Sequence, residues 1–177
     1  MKNIKSLTTG SITKGLLGLA IPIVATNFIQ TAYNMIDMIW IGKLGSGAVA
    51  AVGTATFFVN LAFSLGELVA AGSGIRISQK IGAKKIDEAK KFIMNGFIMF
   101  FLLALLYSSI IIIFRKQVID FFNLGSLEIE KDAISYLITS MISVIFMYFN
   151  VMFITIFNSF GNSKLPFQIN TLGFVIN

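Results

Sequence analysis

KGLLGLAIPIVATNFIQTAYNMIDMIWIG, residues 14–42, is the stretch of sequence that decides the fold. A helix needs about 20 mostly apolar residues to cross a bilayer, and residues 15–36 carry no formal charge. Asp37 interrupts this run, and apolar residues continue beyond it. Because an ionised carboxylate is costly in hydrocarbon, we predict that Asp37 faces water or a protein interior and takes up a proton or a cation.

The polar residues near Asp37 share one face of the predicted helix. At about 100° per residue, six of them fall within an arc of roughly 140°: Thr26, Asn27, Gln30, Thr31, Asn34 and Asp37. Tyr33 lies at the edge of this arc. Amides and hydroxyls also join helices by hydrogen bonds in membranes, which accounts for the amides but not for the acid. We therefore predict a functional role for Asp37, since ionisable residues inside membranes mark ion and substrate pathways.

Composition places the chain among integral membrane proteins. Of its 177 residues, 56% are hydrophobic and 12% are charged, whereas soluble proteins are about 25% charged. We explain the net charge of +6 by a bias of basic residues toward the inner side of the membrane, and we predict no nucleic-acid partner. Without Cys or His the chain lacks thiols, imidazole bases and the usual zinc ligands. We therefore predict a protein that is not an enzyme and needs no cofactor.

Five apolar runs follow a polar cytoplasmic tail at residues 1–13, and they predict an all-α, polytopic helical membrane protein. We place the spans at about 14–42, 49–75, 92–114, 133–160 and 165–177. The charged stretch 76–91 between the second and third spans is expected to be a solvated loop with an amphipathic helix. The apolar part of the fifth span starts at Phe167 and stops at Asn177. At 1.5 Å per residue these roughly 11 residues cover about 16 Å, roughly half of a hydrocarbon core of about 30 Å. We therefore expect an incomplete fifth span and a longer native chain.

Basic residues predict the orientation of the chain. With the N-terminus inside, alternate segments place ten Lys or Arg on the inner side and four on the outer side. Six of the ten belong to the charged stretch 76–91. The positive-inside rule therefore favours an inner, cytoplasmic N-terminus, and Asp37 then lies about five residues, or roughly 8 Å, from the outer end of its helix.

Three motifs in register resemble the multidrug and toxic compound extrusion (MATE) transporters. LAIPIVATNFIQTAYNMIDMIWIGKLG, residues 19–45, followed by AVAAVG at 48–53, is similar to the opening of that family. GIRISQKIGAKKIDEAKK at 74–91 resembles its loop after the second helix, and FNSFGNSKLPFQINTLGFVIN at 157–177 resembles its junction between the fourth and fifth helices. The resemblance covers nearly the whole chain.

The resemblance implies a fold of twelve transmembrane helices in two six-helix bundles around a central cavity. This chain would supply the first five spans, the fifth truncated, of the N-terminal bundle, and the C-terminal bundle of its own chain would be its partner together with membrane lipid. The family exports small organic cations and other amphiphiles in exchange for protons or sodium ions. The resemblance therefore implies multidrug efflux, a form of xenobiotic export, by a multi-pass protein of the cytoplasmic (inner) membrane.

The resemblance also implies roles for individual residues. Asp37 matches the acid proposed to couple the cation, and Asn177 matches an asparagine of the fifth helix, so a sodium site at these two residues is a candidate. Gln30 and Tyr33 match cavity positions, and the polar arc adds Asn34 and Asn27 to the expected substrate cavity. Glu67, in the second span, is a candidate second acid. Because Glu67 matches no motif of the family, we expect it near the lipid headgroups rather than in the transport site.

Two alternatives remain open at this point. A flippase for lipid-linked saccharides belongs to the same superfamily, but such proteins usually carry basic residues in the cavity, and no Lys or Arg lies clearly inside a span here. A truncated, non-transporting membrane module is the second alternative, and the end of the sequence at Asn177 motivates it.

The predicted orientation can be tested at Lys84 in the charged stretch. A cysteine introduced as Lys84→Cys should resist a membrane-impermeant thiol reagent in intact cells and react after the cells are opened. Lys43→Cys, in the predicted outer turn, is the matched control and should react in intact cells. Labelling of Lys84→Cys from outside would contradict an inner N-terminus.

Overall fold

The computed structural model of the chain describes residues 11–176, which form α-helices joined by short connections and contain no β-strand within that range. The helices are α1 (Ile12–Gly42), α2 (Ser46–Gly82), α3 (Ile86–Ile113), α4 (Arg115–Asp120), α5 (Leu127–Ser159) and α6 (Lys164–Ile176). Four of them, α1, α2, α3 and α5, are long and apolar enough to cross a membrane. The prediction of an all-α, polytopic helical membrane protein is therefore confirmed.

The charged stretch 76–91 differs from the expected loop. α2 continues through it to Gly82 and α3 begins at Ile86, so only residues 83–85 form the turn. The helices persist because apolar side chains keep a helical spacing between the basic ones, and Ile77 is fully buried. Lys84 adopts a left-handed φ of 58°, and the N–H of Lys85 donates to the carbonyl of Lys80 at 2.9 Å, as in a Schellman cap.

The described residues divide into two compact units, and α1, α2, α3 and α5 each contribute to both. The first unit comprises residues 11–36, 70–96 and 152–176, and the second comprises residues 37–69 and 97–151.

Small residues on α2 organise the core of the second unit. Ala51, Ala55, Ala62 and Gly66 are all buried on one side of this helix. Small side chains let helices approach closely, which is how helices associate where lipid removes the hydrophobic driving force. A Cβ atom added at Gly66 would lie 2.6 Å from the ring of Tyr148 on α5, so only glycine fits here.

Two tyrosines connect α3 and α5 to α2 by hydrogen bonds in this unit. The hydroxyl of Tyr107, on α3, donates to the carbonyl of Phe58 at 2.7 Å, and that of Tyr148 donates to the carbonyl of Ala62 at 2.7 Å. The Tyr148 ring packs against Phe100 of α3, with 5.1 Å between ring centroids. A buried hydroxyl without a partner costs roughly 1–3 kcal/mol, so these bonds fix the depth of each tyrosine beside α2.

The first unit combines a close helix contact with a charged turn. Ser159, near the end of α5, donates from its hydroxyl to the carbonyl of Gly74 on α2 at 3.2 Å. A Cβ atom at Gly74 would lie 3.0 Å from Thr155, so the helices nearly touch here. At the turn, Glu88 forms ion pairs with Lys80 and with Lys85. Exposed pairs of this kind contribute little to stability, so packing rather than charge stabilises this unit.

We expect Gly66→Ala to destabilise the protein by about 1–3 kcal/mol, because the added methyl group would overlap a tyrosine ring held by its own hydrogen bond. Gly53→Ala is the matched control on the same helix, since a Cβ atom there meets nothing within 4 Å. Gly53→Ala should leave the free energy of unfolding unchanged or raise it, because the helix propensity of alanine exceeds that of glycine by up to about 1 kcal/mol. Unfolding of the purified protein in mixed micelles by added SDS measures both, and equal effects would contradict the proposed packing.

Candidate functional site

The predicted cavity residues lie on α1, which is unbroken from Ile12 to Gly42 although Pro22 lies inside it. Two hydroxyls of the polar arc bond to their own helix. Thr26 donates to the carbonyl of Pro22 and Thr31 donates to the carbonyl of Asn27, both at 2.9 Å. These bonds satisfy the hydroxyls locally, so the amides and the acid are the groups left for other partners.

No residue of α1 is buried, and this includes the predicted site residues. Asn27, Gln30, Asn34 and Asp37 are exposed, and Tyr33 is half-buried. Within residues 11–176 the side chain of Asp37 forms no ion pair and no hydrogen bond. A polar face at membrane depth has to meet water, another protein segment or a ligand. The structure therefore presents this face uncovered by the described part of the chain.

Tyr33 is the predicted cavity residue that contacts another helix. Its ring stacks on Phe174 of α6, with 5.4 Å between centroids and 27° between the ring planes. This contact holds one side of the tyrosine against α6. The companion residue in the expected sodium site, Asn177, lies outside the described residues, so its pairing with Asp37 stays a prediction.

Glu67 lies within α2, in the second unit, and is exposed. The polar residues Ser64 and Asn60 on its side of the helix are exposed as well, and so is Phe63 one turn earlier. The Ser64 hydroxyl donates to the carbonyl of Asn60 at 2.9 Å. Glu67 is therefore part of a second polar helix face, which the sequence analysis did not identify.

A third polar face, on α5, was also missed. Four exposed residues of that helix line an open recess of about 320 Å³: Asp132, Ser135, Tyr136 and Thr139. Their spacing of three, one and three residues is that of a single helix face, which is the signal that could have revealed them. The predicted fourth span begins at residue 133, so Asp132 fell outside it and the four residues were not recognised as one face.

The described residues offer oxygen ligands rather than a transition-metal site. Within residues 11–176 no group of three His, Cys, Asp or Glu side chains converges to hold a metal ion. The polar faces instead carry single carboxylates among amides and hydroxyls. Such groups can bind a proton, an alkali cation or an organic cation, because their oxygen lone pairs are attracted to positive charge.

Comparison with known proteins agrees with this description. The MatE family model matches residues 22–177. The chain is 28% identical to the probable multidrug resistance protein YoeA of Bacillus subtilis over 160 residues, which cover 89% of this chain and 34% of YoeA. It is 28% identical to the probable multidrug resistance protein NorM of Pasteurella multocida over 113 residues, which cover 62% of this chain and 24% of NorM. The chain thus spans about a third or less of these relatives.

A solved structure shares the fold. It is a MOP superfamily transporter from Pyrococcus furiosus, described as having a binding pocket of reverse polarity that suggests a different function. The two structures superpose with a TM-score of 0.78 at 26% sequence identity, over 99% of this chain and 38% of that one. The match confirms the arrangement of helices expected from the sequence motifs.

The contact between Tyr33 and Phe174 can be measured by a double-mutant cycle. We expect Tyr33→Phe to preserve it, and Tyr33→Ala with Phe174→Ala to show a coupling of about 0.5–1.5 kcal/mol in the free energy of unfolding. Phe28→Ala is the matched control, because Phe28 is 75% exposed on the same helix and has no ring partner among the described residues. Coupling of Phe174 to Phe28 as strong as to Tyr33 would contradict the stacked pair.

Proposed function

The chain belongs to the MatE family, and from this premise we propose that it is the N-terminal bundle of a cation-coupled antiporter that exports small organic cations. Two relatives that carry multidrug resistance names support export of drugs. The observation that carries the proposal is the acid Asp37 on an apolar, membrane-length helix, exposed beside Asn34 and without a partner among the described residues.

The sign of the charge inside the helices supports cationic substrates. Apart from Asp37 and Glu67, the apolar sequences 15–42 and 44–75 contain no charged residue, and neither contains Lys or Arg. A cavity walled by such helices carries a negative potential, which concentrates cations and disfavours anions. This distribution favours an exporter of cations over a flippase for anionic lipid-linked saccharides.

Ion binding is coupled to the conformational change through the free-energy cost of removing a charge from water. When Asp37 binds a proton or a sodium ion, its charge is neutralised and the penalty for removing it from water falls. If the protein has an inward-open and an outward-open state that hydrate Asp37 differently, ion occupancy favours one of them. A ligand shifts such an equilibrium only through its differential affinity for the two states. The proposal therefore assigns Asp37 the role of ion-binding switch, with Asn177 as its second oxygen ligand for sodium.

Substrate would bind in the same cavity, against the polar face of α1. Gln30, Asn27 and Asn34 present amide oxygens that can accept hydrogen bonds or face a positive charge. Tyr33 presents an aromatic ring, and aromatic faces attract organic cations. On the proposed orientation, with the N-terminus on the inner side of the cytoplasmic membrane, Asp37 lies toward the outer end of this cavity.

Replacement of Asp37 by asparagine tests the proposal. In proteoliposomes of the intact native protein, Asp37→Asn should reduce gradient-driven transport of tetraphenylphosphonium to the level of empty vesicles, because an amide cannot be charged and neutralised in turn. An imposed pH gradient and an imposed sodium gradient, applied separately, identify the coupling ion. Asp120→Asn is the matched control, since Asp120 is exposed at the end of the short helix α4, and it should transport normally. Wild-type rates in Asp37→Asn would contradict the assigned role.

A further inference from the structure

The polar face of α2, defined as Gly53, Thr56, Asn60, Ser64 and Glu67, is opposite the side of this helix that packs. Its residues recur at intervals of three and four, so they lie on one side of the helix. Glu67, Ser64, Asn60 and Gly53 are exposed and Thr56 is half-exposed, whereas Ala51, Ala55 and Ala62 on the other side are buried. α2 therefore has one face for packing and one face that the second unit leaves open.

Glu67 lies too deep to reach the lipid headgroups easily. The nearest charged residue toward the end of α2 is Arg76, nine residues later, which corresponds to about 14 Å along the helix axis. Toward the other end, the sequence from Leu44 to Gly66 has no charge. If Arg76 marks the membrane surface, Glu67 lies close to half the depth of a hydrocarbon core of about 30 Å. This position argues against the headgroup location that the sequence favoured.

The described chain gives Glu67 nothing that would neutralise it. Within residues 11–176 its carboxylate has no ion pair and no hydrogen bond. Ser64, one turn earlier, already donates its hydroxyl to the backbone. An ionised carboxylate is an acceptor only and is too costly to face lipid. The polar residues Thr56, Asn60 and Ser64 also mark this face as one that meets water. Phe63, which is 41% exposed one turn before Glu67, borders it.

Glu67 and Asp37 are too far apart to share one ion. Both belong to the second unit, and a short turn at residues 43–45 joins their helices. Asp37 lies about 8 Å before that turn and Glu67 about 32 Å after it, measured at 1.5 Å per residue. Two carboxylates at such different depths require separate cations, which separates their functions as well.

We propose that Glu67 binds the positively charged group of the transported substrate, on the water-exposed polar face of α2, and so determines the preference for cations. The inference rests on the proposed export function and adds to it a specificity residue apart from the ion-coupling acid. With the N-terminus inside, Glu67 lies nearer than Asp37 to the cytoplasm, which is the side where an exporter takes up its substrate. Asn60 and Ser64 provide the polar surroundings of this site.

Binding of two probes of similar size but different charge tests the role of Glu67. In the intact native protein, Glu67→Gln should weaken binding of tetraphenylphosphonium at least tenfold and change that of neutral triphenylphosphine oxide less than twofold. Glu67→Asp keeps the charge and should retain most of the affinity for the cation. Glu130→Gln, at the start of α5, is the matched control and should bind both probes normally. Unchanged cation affinity in Glu67→Gln, or an equal loss for both probes, would overturn the proposal.

Thiol labelling gives a second measurement that does not need the neutral variant to fold well. The chain contains no cysteine, so Glu67→Cys adds a single thiol to it. This thiol should react with a water-soluble, positively charged methanethiosulfonate, and tetraphenylphosphonium should slow the reaction. Leu106→Cys, on an apolar and 62% exposed part of α3, should react slowly under the same conditions. A Glu67→Cys thiol as unreactive as that control would overturn the water-exposed site.

Failure of this inference is distinguishable from failure of the export function. If the wild-type protein neither binds tetraphenylphosphonium nor transports it under either gradient, the proposed function is wrong and the role of Glu67 is overturned with it. If the wild type transports the cation and Glu67→Gln does so with unchanged affinity and rate, only the role of Glu67 is wrong. Loss of cation affinity in Glu67→Gln, together with intact binding of the neutral probe, supports both.

Discussion

The absence of water in the bilayer core is the constraint on which this structure depends. Backbone groups there must find their hydrogen bonds within the protein, and the helices of this chain satisfy them within each segment. Several side-chain hydroxyls between the helices bond to backbone carbonyls. Tyr107 and Tyr148 do so on α2, and Ser108 donates to the carbonyl of Met141 at 2.8 Å. The two carboxylates of α1 and α2 have no such partner among the described residues and lie on open faces.

α2 shows how one helix serves packing and function together. Its small residues admit the Tyr148 ring at contact distance, and the two tyrosine hydroxyls hold α3 and α5 on that side. The opposite side is then free of packing and carries the polar residues. Because the period of the helix separates the two sets, a substitution on one face leaves the chemistry of the other in place. The packed side of α2 therefore fixes the position of the helix that carries Glu67.

The open faces of α1, α2 and α5 share a chemical character. Each carries carboxylate, amide or hydroxyl oxygens and no basic side chain within its membrane-depth part. The two multidrug resistance relatives are more than twice as long as this chain. In the proposed exporter, an acid near the outer end binds the driving ion and an acid nearer the cytoplasm binds the substrate.

The sequence by itself determined the class of fold and the polar face of α1. Apolar runs of membrane length and the cost of a charge in hydrocarbon are local properties, so residues 14–42 already predicted a spanning helix with a functional acid. The motifs also indicated the family. The roles of Asp37 and the other predicted site residues stay predictions, because they depend on ion binding rather than on the fold.

Only the tertiary structure decided which polar residues are satisfied and which are open. The sequence could not show that Tyr148 is held between α2 and α3, that Tyr33 stacks on Phe174, or that the charged stretch 76–91 forms the ends of two helices. These features depend on contacts between residues far apart in the chain, and helical periodicity alone does not report such contacts. For the same reason only the tertiary structure shows that Glu67 lies on the side of α2 opposite its packed side.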